Sequence, residues 1–73
     1  MIETLDLCGL KCPLPILKIR RAMQSMQSGE RLDVSATDAG IVRDLPDYCA
    51  HSGNRILQQH EFEGVYSFTL EKL

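Results

Sequence analysis

Apolar and polar positions recur along this chain with two different periods, and the changes of period mark its elements. Ile2 to Leu5 is apolar and β-tolerant and reads as a short strand; Leu7-Cys8-Gly9-Leu10-Lys11-Cys12 then carries a glycine ahead of two prolines and reads as a loop. From Pro13 to about Gln27, Ile16, Ile19, Met23 and Met26 recur at spacings of three and four, with Leu17 and Ala22 widening the stripe. This is the period of an amphipathic helix. Its polar face carries Lys18, Arg20, Arg21, Gln24 and Ser25, and Gly29 stands where a left-handed cap is expected.

Arg31 to Thr37 alternates Leu32, Val34 and Ala36 with Asp33, Ser35 and Thr37, the period of a strand with one wet face. After Asp38-Ala39-Gly40 a second helix is expected over about Ile41 to His51, with Ile41, Leu45, Tyr48 and Cys49 sharing a face. Pro46 falls inside it, so either Asp44 caps a later start or the helix is kinked there. Ser52-Gly53-Asn54 closes the helix, and Arg55 to Phe62 reads as a strand whose Ile56 and Leu57 leave the inward face undecided. Glu63-Gly64 is a two-residue hairpin signal before Val65 to Lys72, where Tyr66, Phe68 and Leu70 alternate with Ser67, Thr69 and Glu71.

The order β-α-β-α-β-β predicts an α+β fold, a two-layer sandwich with both helices on one face of a four-stranded mixed sheet. The other face of the sheet is then open to solvent or to a partner. A length of 73 residues makes this a single domain, 1–73. A chain of that size buries only ~60% of the surface its unfolded form exposes, which excludes a multidomain enzyme.

Composition narrows the function classes. Three cysteines are too few and of the wrong parity for a disulfide framework, and no charged-then-apolar leader precedes the first strand, so a reduced, cytoplasmic protein is expected. No apolar run approaches the ~18 residues of a membrane span, so no direct membrane contact is expected. A net charge of −2 argues against wholesale coating of nucleic acid, leaving nucleic acid an indirect partner. That total hides an asymmetry, because Lys11, Lys18, Arg20 and Arg21 are all basic and no acidic residue lies between them.

The chemistry concentrates at Cys12-Pro13-Leu14-Pro15. Proline is favoured in the first turn of a helix, where its missing N–H is no loss, and a residue before proline is pushed to extended angles. Cys12 is therefore expected at the cap position, facing the positive end of the helix dipole beside Lys11, with Lys18 further along. Both influences lower a thiol pKa. Such a thiolate can attack a sulfur donor, hold the sulfur as a persulfide and present it to an acceptor. A Cys–His pair requires His51 or His60 to fold back to Cys12, since neither lies near it in sequence. No C-x2-C or H-x3-H pairing is present, so neither a metal nor a cofactor is expected. Cys8 is either an incidental thiol or a resolving partner of Cys12, Cys49 is expected in the core, and the Lys18, Arg20, Arg21 stripe is either a solvated face or a docking surface.

Leu5-Asp6 followed by Cys8-Gly9-Leu10-Lys11-Cys12-Pro13-Leu14-Pro15 resembles the TusA/SirA family of small sulfur-carrier proteins, with its CPxP signature at the first helix. The resemblance continues through Gly29-Glu30, Asp38, Arg43-Asp44-Leu45-Pro46 and Glu63-Gly64. It implies a fold similar to the C-terminal domain of bacterial translation initiation factor three, with sheet order first, second, fourth, third. It implies that Cys12 accepts persulfide sulfur from a cysteine desulfurase or other donor protein and passes it to a downstream relay ending in 2-thiouridine of tRNA. Pro13 and Pro15 match the motif prolines, and Gly9 the glycine that lets the loop turn. In the family Asp38 is usually followed by proline; Ala39-Gly40 stands here instead, so a more mobile loop is expected. Relatives also serve thiosulfate uptake, sulfur oxidation and molybdenum-cofactor assembly, among which a fold does not choose.

The leading expectation is thus a sulfur carrier with Cys12 as nucleophile and Lys11, Lys18, Arg21 and Asp38 supplying field or docking contacts. The rival expectations are an RNA- or protein-binding regulatory module using the open sheet face, and a thiol redox switch through Cys8 and Cys12.

Overall fold

The computed structural model describes residues 2–73, and its elements follow in the order β1 (Ile2–Leu7), α1 (Leu14–Gln24), β2 (Arg31–Ala36), α2 (Ile41–Ser52), β3 (Arg55–Phe62) and β4 (Val65–Glu71). The four strands form one mixed sheet in the order β1-β2-β4-β3, with β1 parallel to β2 and the β2/β4 and β3/β4 pairs antiparallel. The expected α+β sandwich and its sheet order are therefore present.

Register decides which side chains reach the core. Leu32 pairs with Leu70 and Val34 with Phe68, so the apolar positions of β2 and β4 lie in common rows beneath the helices. Asp33 pairs with Thr69 and Ser35 with Ser67 on the opposite, open face, where the Thr69 hydroxyl donates to Asp33 at 2.9 Å. Ile56 pairs with Leu70 and packs on the core, after which a bulge between Ile56 and Gln58 resets the alternation of β3. That extra residue is why a period of two cannot assign Ile56 and Leu57 to opposite faces. The β3–β4 turn holds Glu63 at φ 49° and Gly64 at φ 80°, the two left-handed positions of a type I′ hairpin.

Both helices differ from expectation in detail. α1 starts at Leu14, with Pro13 at its N-cap, and ends at Gln24, where Ser25 and Met26 bond back to Ala22 and Met23. Gly29 is consequently not its cap: it sits in the turn into β2, its φ is +90°, and its N–H donates to the Lys72 carbonyl at 2.9 Å. The core-facing line of α1 is Pro15, Ile19, Met23, an i, i+4, i+8 series, so Pro15 takes the place expected of Leu17, which is 50% exposed. α2 does not start late at an Asp44 cap, and it runs on through Pro46. It begins at Ile41, and the carbonyl that a Pro46 N–H would have bonded belongs to Val42, which like Pro46 itself is exposed and within reach of water. Gly53, at φ 83°, ends α2 by donating to the Cys49 carbonyl at 2.9 Å.

Ile41, Leu45 and Cys49 of α2 meet Ile19 and Met23 of α1 over Leu32, Val34, Phe68 and Leu70 of the sheet, all at most 6% exposed. Asn54, between α2 and β3, is buried but bonded: its Nδ2 donates to the Tyr48 hydroxyl at 3.3 Å, and its Oδ1 accepts from the Leu73 N–H at 2.9 Å. This core holds the N-terminal ends of α1 and α2 side by side at one end of the sandwich.

Candidate functional site

The loop from β1 to α1 is built from its own backbone and from one neighbour. Asp6 accepts from the Cys8 N–H at 3.0 Å, Leu10 N–H bonds back to the Leu7 carbonyl at 3.2 Å, and the Gly9 N–H donates to the Thr37 hydroxyl at 2.8 Å. Gly9 takes a φ of +86°, which an L-residue adopts only with strain. The chain then reaches Cys12, whose peptide bond to Pro13 is cis, and the Leu14 N–H closes onto the Lys11 carbonyl at 2.9 Å as α1 begins.

Cys12 is exposed and is held at two points by the segment that starts α2. Its backbone N–H donates to Asp38 Oδ2, and its thiol donates to Asp44 Oδ2 at 3.2 Å. Asp38 also accepts from the Gly40 N–H at 3.0 Å, so one carboxylate joins the Cys12 loop to the head of α2. Asp38 thus clamps Cys12 to Gly40. Hydrogen bonds from the Gly40 and Cys12 N–H groups, with a smaller contribution from the Lys11 charge, hold its carboxyl below the usual carboxylate range.

The electrostatics at the thiol run opposite to the expectation from α1 alone. The Cys12 pKa is raised above that of an ordinary thiol, first by the hydrogen bond to Asp44, then by some loss of solvation and by the negative charges of Asp44 and Asp38. Arg43, whose Nε lies 3.6 Å from Asp44 Oδ1, partly offsets this. The physical reason is distance along the chain: Lys11 acts on Asp38, Lys18 and Arg21 lie on the exposed face of α1, and the carboxylates that dominate arrive from residues 26 and 32 positions downstream. Pro13 rather than Cys12 occupies the cap position of α1, so the thiol lies one residue outside the helix head.

The remaining candidates separate. Pro15 is buried under α1, anchoring the first turn, while Pro13 is exposed. Cys8 is exposed beside Asp6 and Ser35, and the Asp6 carboxylate pushes its thiol pKa up. Ser35 belongs to the open face of the sheet, whereas Cys12 faces α2. Cys49 is 6% exposed and raised by burial, as a core cysteine. His51 is exposed on the last turn of α2 with Nδ1 2.8 Å from the Asp47 carbonyl, and His60 is exposed on β3. Among the described residues no three His, Cys, Asp or Glu side chains converge on a common point. Half-exposed Leu14 and Leu17 on α1 and Val42 on α2 add apolar surface to the same two helical turns that present Cys12 and Asp44.

Asp44, Arg43 and Thr37 are the site residues that reading along the chain missed. Asp44 attracts notice in the sequence as one residue of the Arg43-Asp44-Leu45-Pro46 stretch and as a cap for a helix that in fact begins three residues earlier. A carboxylate in a first turn is an ordinary response to the helix dipole, so nothing local marks it as a thiol partner.

Residues 3–72 match the family model described as sulfurtransferase TusA. The chain is 39% identical over 70 residues to the sulfur carrier protein TusA of Allochromatium vinosum, covering 96% of this chain and 92% of that protein. It is 44% identical over 69 residues, 94% of this chain and 93% of the relative, to a protein of Neisseria meningitidis serogroup A whose name provisionally assigns it as a sulfur carrier. The crystal structure of a SirA-like protein from Desulfitobacterium hafniense superposes with a TM-score of 0.81 at 23% identity, covering 97% of this chain and 96% of that one, and shows the same fold. No helix among the described residues is long and apolar enough to cross a membrane.

Proposed function

The chain belongs to the TusA family of sulfurtransferases and sulfur carriers, and on that premise we propose that Cys12 is the atom-bearing residue, loaded and unloaded as a persulfide. The observation that carries the assignment is the exposed Cys12 thiol, presented ahead of α1 by a backbone that Asp38 holds in place. Cys8, though also exposed, stands beside Asp6 and Ser35 rather than at the head of α1, and Cys49 is buried.

Transfer of one sulfur atom needs little besides a nucleophile and a surface on which two larger proteins dock in turn. The Cys12 sulfur bonds to the terminal sulfur of a donor protein's persulfide as the donor's sulfur–sulfur bond breaks. The electron pair leaves on the donor cysteine, which takes up the proton that Cys12 gives up. Thiol and persulfide thereby change places with no net oxidation, and the same exchange onto an acceptor cysteine unloads the carrier. The donor is a cysteine desulfurase or another persulfide protein of the cytoplasm, and the acceptor a relay protein leading to 2-thiouridine in tRNA. Lys11, Lys18 and Arg21, with Leu14 and Leu17 between them, supply a basic and apolar docking face.

Incubation with a cysteine desulfurase and cysteine, followed by intact mass measurement, tests the assignment. One adduct of about 32 Da, one sulfur on the thiol, is expected in the native chain and in Cys8→Ser, and none in Cys12→Ala. An adduct that survives in Cys12→Ala refutes it.

A further inference from the structure

From the contact between the Cys12 thiol and Asp44, we infer that Asp44 is a catalytic residue of this carrier: it holds the proton on the empty thiol and is the group that receives it when sulfur is taken up. The inference rests on the assignment of Cys12 as the sulfur-bearing residue and adds to it a partner from another element.

The geometry is specific. Asp44 Oδ2 is 3.2 Å from Sγ, within the range for a hydrogen bond donated by a thiol, and its other oxygen, Oδ1, faces Arg43 Nε at 3.6 Å. The carboxylate is therefore oriented by two partners, one on each oxygen. Its side chain is 26% exposed, so its attraction for the thiol proton is only partly screened by water. It sits in the first turn of α2, which is fixed from below by Ile41 and Leu45, 2% and 0% exposed. The charged groups around Sγ are Asp44 and Arg43 from α2, Asp38 from the β2–α2 connection, and Lys11 next in sequence, whose charge acts on Asp38.

The consequence follows from thiol chemistry, since the thiolate and not the thiol is the nucleophile. With a carboxylate as its hydrogen-bond acceptor, the empty carrier stays protonated at neutral pH and reacts slowly with oxidants and electrophiles in free solution. When a donor persulfide is brought against Sγ, the new sulfur–sulfur bond forms as the proton passes to Asp44 Oδ2. The donor cysteine leaves with its electron pair and then takes that proton from Asp44, so the carboxylate is regenerated and atoms and charge balance. Once loaded, the terminal sulfur is the more readily ionised group, and as an anion it is repelled by Asp44 and Asp38, which turns it outward to the next acceptor. Asp44 thus opposes idle reactivity at the empty thiol and favours unloading of the charged one.

The test is the pH profile of Cys12 alkylation by iodoacetamide in a Cys8→Ser background, read by peptide mass so that Cys12 alone is scored. This reports on the thiol itself and is separate from the adduct experiment, so failure of one is distinguishable from failure of the other. In the parent the midpoint is expected above the ~8.5 of a free cysteine. Asp44→Asn is expected to lower the midpoint and to raise the alkylation rate at pH 7, and Asp44→Glu to restore a raised midpoint. Arg43→Gln, which leaves the carboxylate and removes its cation, is expected to shift the midpoint upward. A profile for Asp44→Asn that overlays the parent or moves upward overturns the proposal. Should Asp44→Asn fail to fold, an unchanged or lowered midpoint in Arg43→Gln overturns it equally.

Discussion

Replacing Gly9 by alanine isolates the cost of the backbone that leads to Cys12. A Cβ built on Gly9 meets no atom within 4 Å, and the Gly9 N–H that bonds Thr37 Oγ1 at 2.8 Å is retained by alanine. Steric crowding and a lost hydrogen bond are therefore both absent, and what remains is the left-handed φ of +86°. An L-residue in that region costs roughly 1–2 kcal/mol. With an unfolding entropy of about 2.1 cal/mol/K per residue, a chain of this length loses roughly 7–13 °C of Tm. Gly9→Asn, whose side chain tolerates left-handed angles, is expected to lose clearly less than Gly9→Ala. Thermal unfolding by circular dichroism on the three proteins measures this, and sulfur loading in parallel shows whether the strain also misplaces Cys12. Equal Tm values for Gly9→Ala and the native chain would refute the argument, as would Gly9→Asn being the worse of the two.

Three further outcomes follow from the same structure. Leu45→Ala, at a position 0% exposed between both helices and the sheet, is expected to cost about 3 kcal/mol in urea unfolding; Leu17→Ala, at the half-exposed position, should cost under about 1. Asp38 has its pKa lowered on folding, so its contribution is present above the unfolded carboxylate pKa and is lost as pH falls through the folded value. The stability gap between native chain and Asp38→Asn, from urea midpoints, should therefore be larger at pH 7 than at pH 3. In the hairpin, Glu63 adopts a φ of 49°. Glu63→Asn, which completes the preferred Asn-Gly turn, should raise stability by about 0.5–1 kcal/mol in thermal unfolding.

Much of the architecture was readable along the chain because it depends on local periods. The 3.6-residue stripe through Ile19 and Met23, the alternation in β2 and β4, and the Glu63-Gly64 turn each point to an element without reference to any other. Where a second element shares the decision, the local period alone does not settle which side chains are buried. Leu17 belongs to the apolar stripe by spacing, yet the sheet lies under the line through Pro15, leaving Leu17 half in water. Ile56 and Leu57 could not be assigned because the bulge that separates them exists only by pairing with β4. Pro46 is carried inside α2 because the residue whose carbonyl it leaves without its helical partner, Val42, is exposed.

The thiol shows the same division most sharply. Cys12-Pro13-Leu14-Pro15 by itself determines that a cysteine stands just ahead of a helix in a basic stretch, because proline's fixed φ and missing N–H act on the next bond or two. From that alone the thiol should be acidified. Only the tertiary structure brings Asp44 and Asp38 to it, and the hydrogen bond to Asp44, followed by desolvation and the two charges, raises the thiol pKa instead. A hydrogen bond and a charge a few ångströms away outweigh a dipole whose partial charges fall off within one helical turn. The sequence decided which atom is presented; the packing of α2 against α1 decided which carboxylates that atom meets.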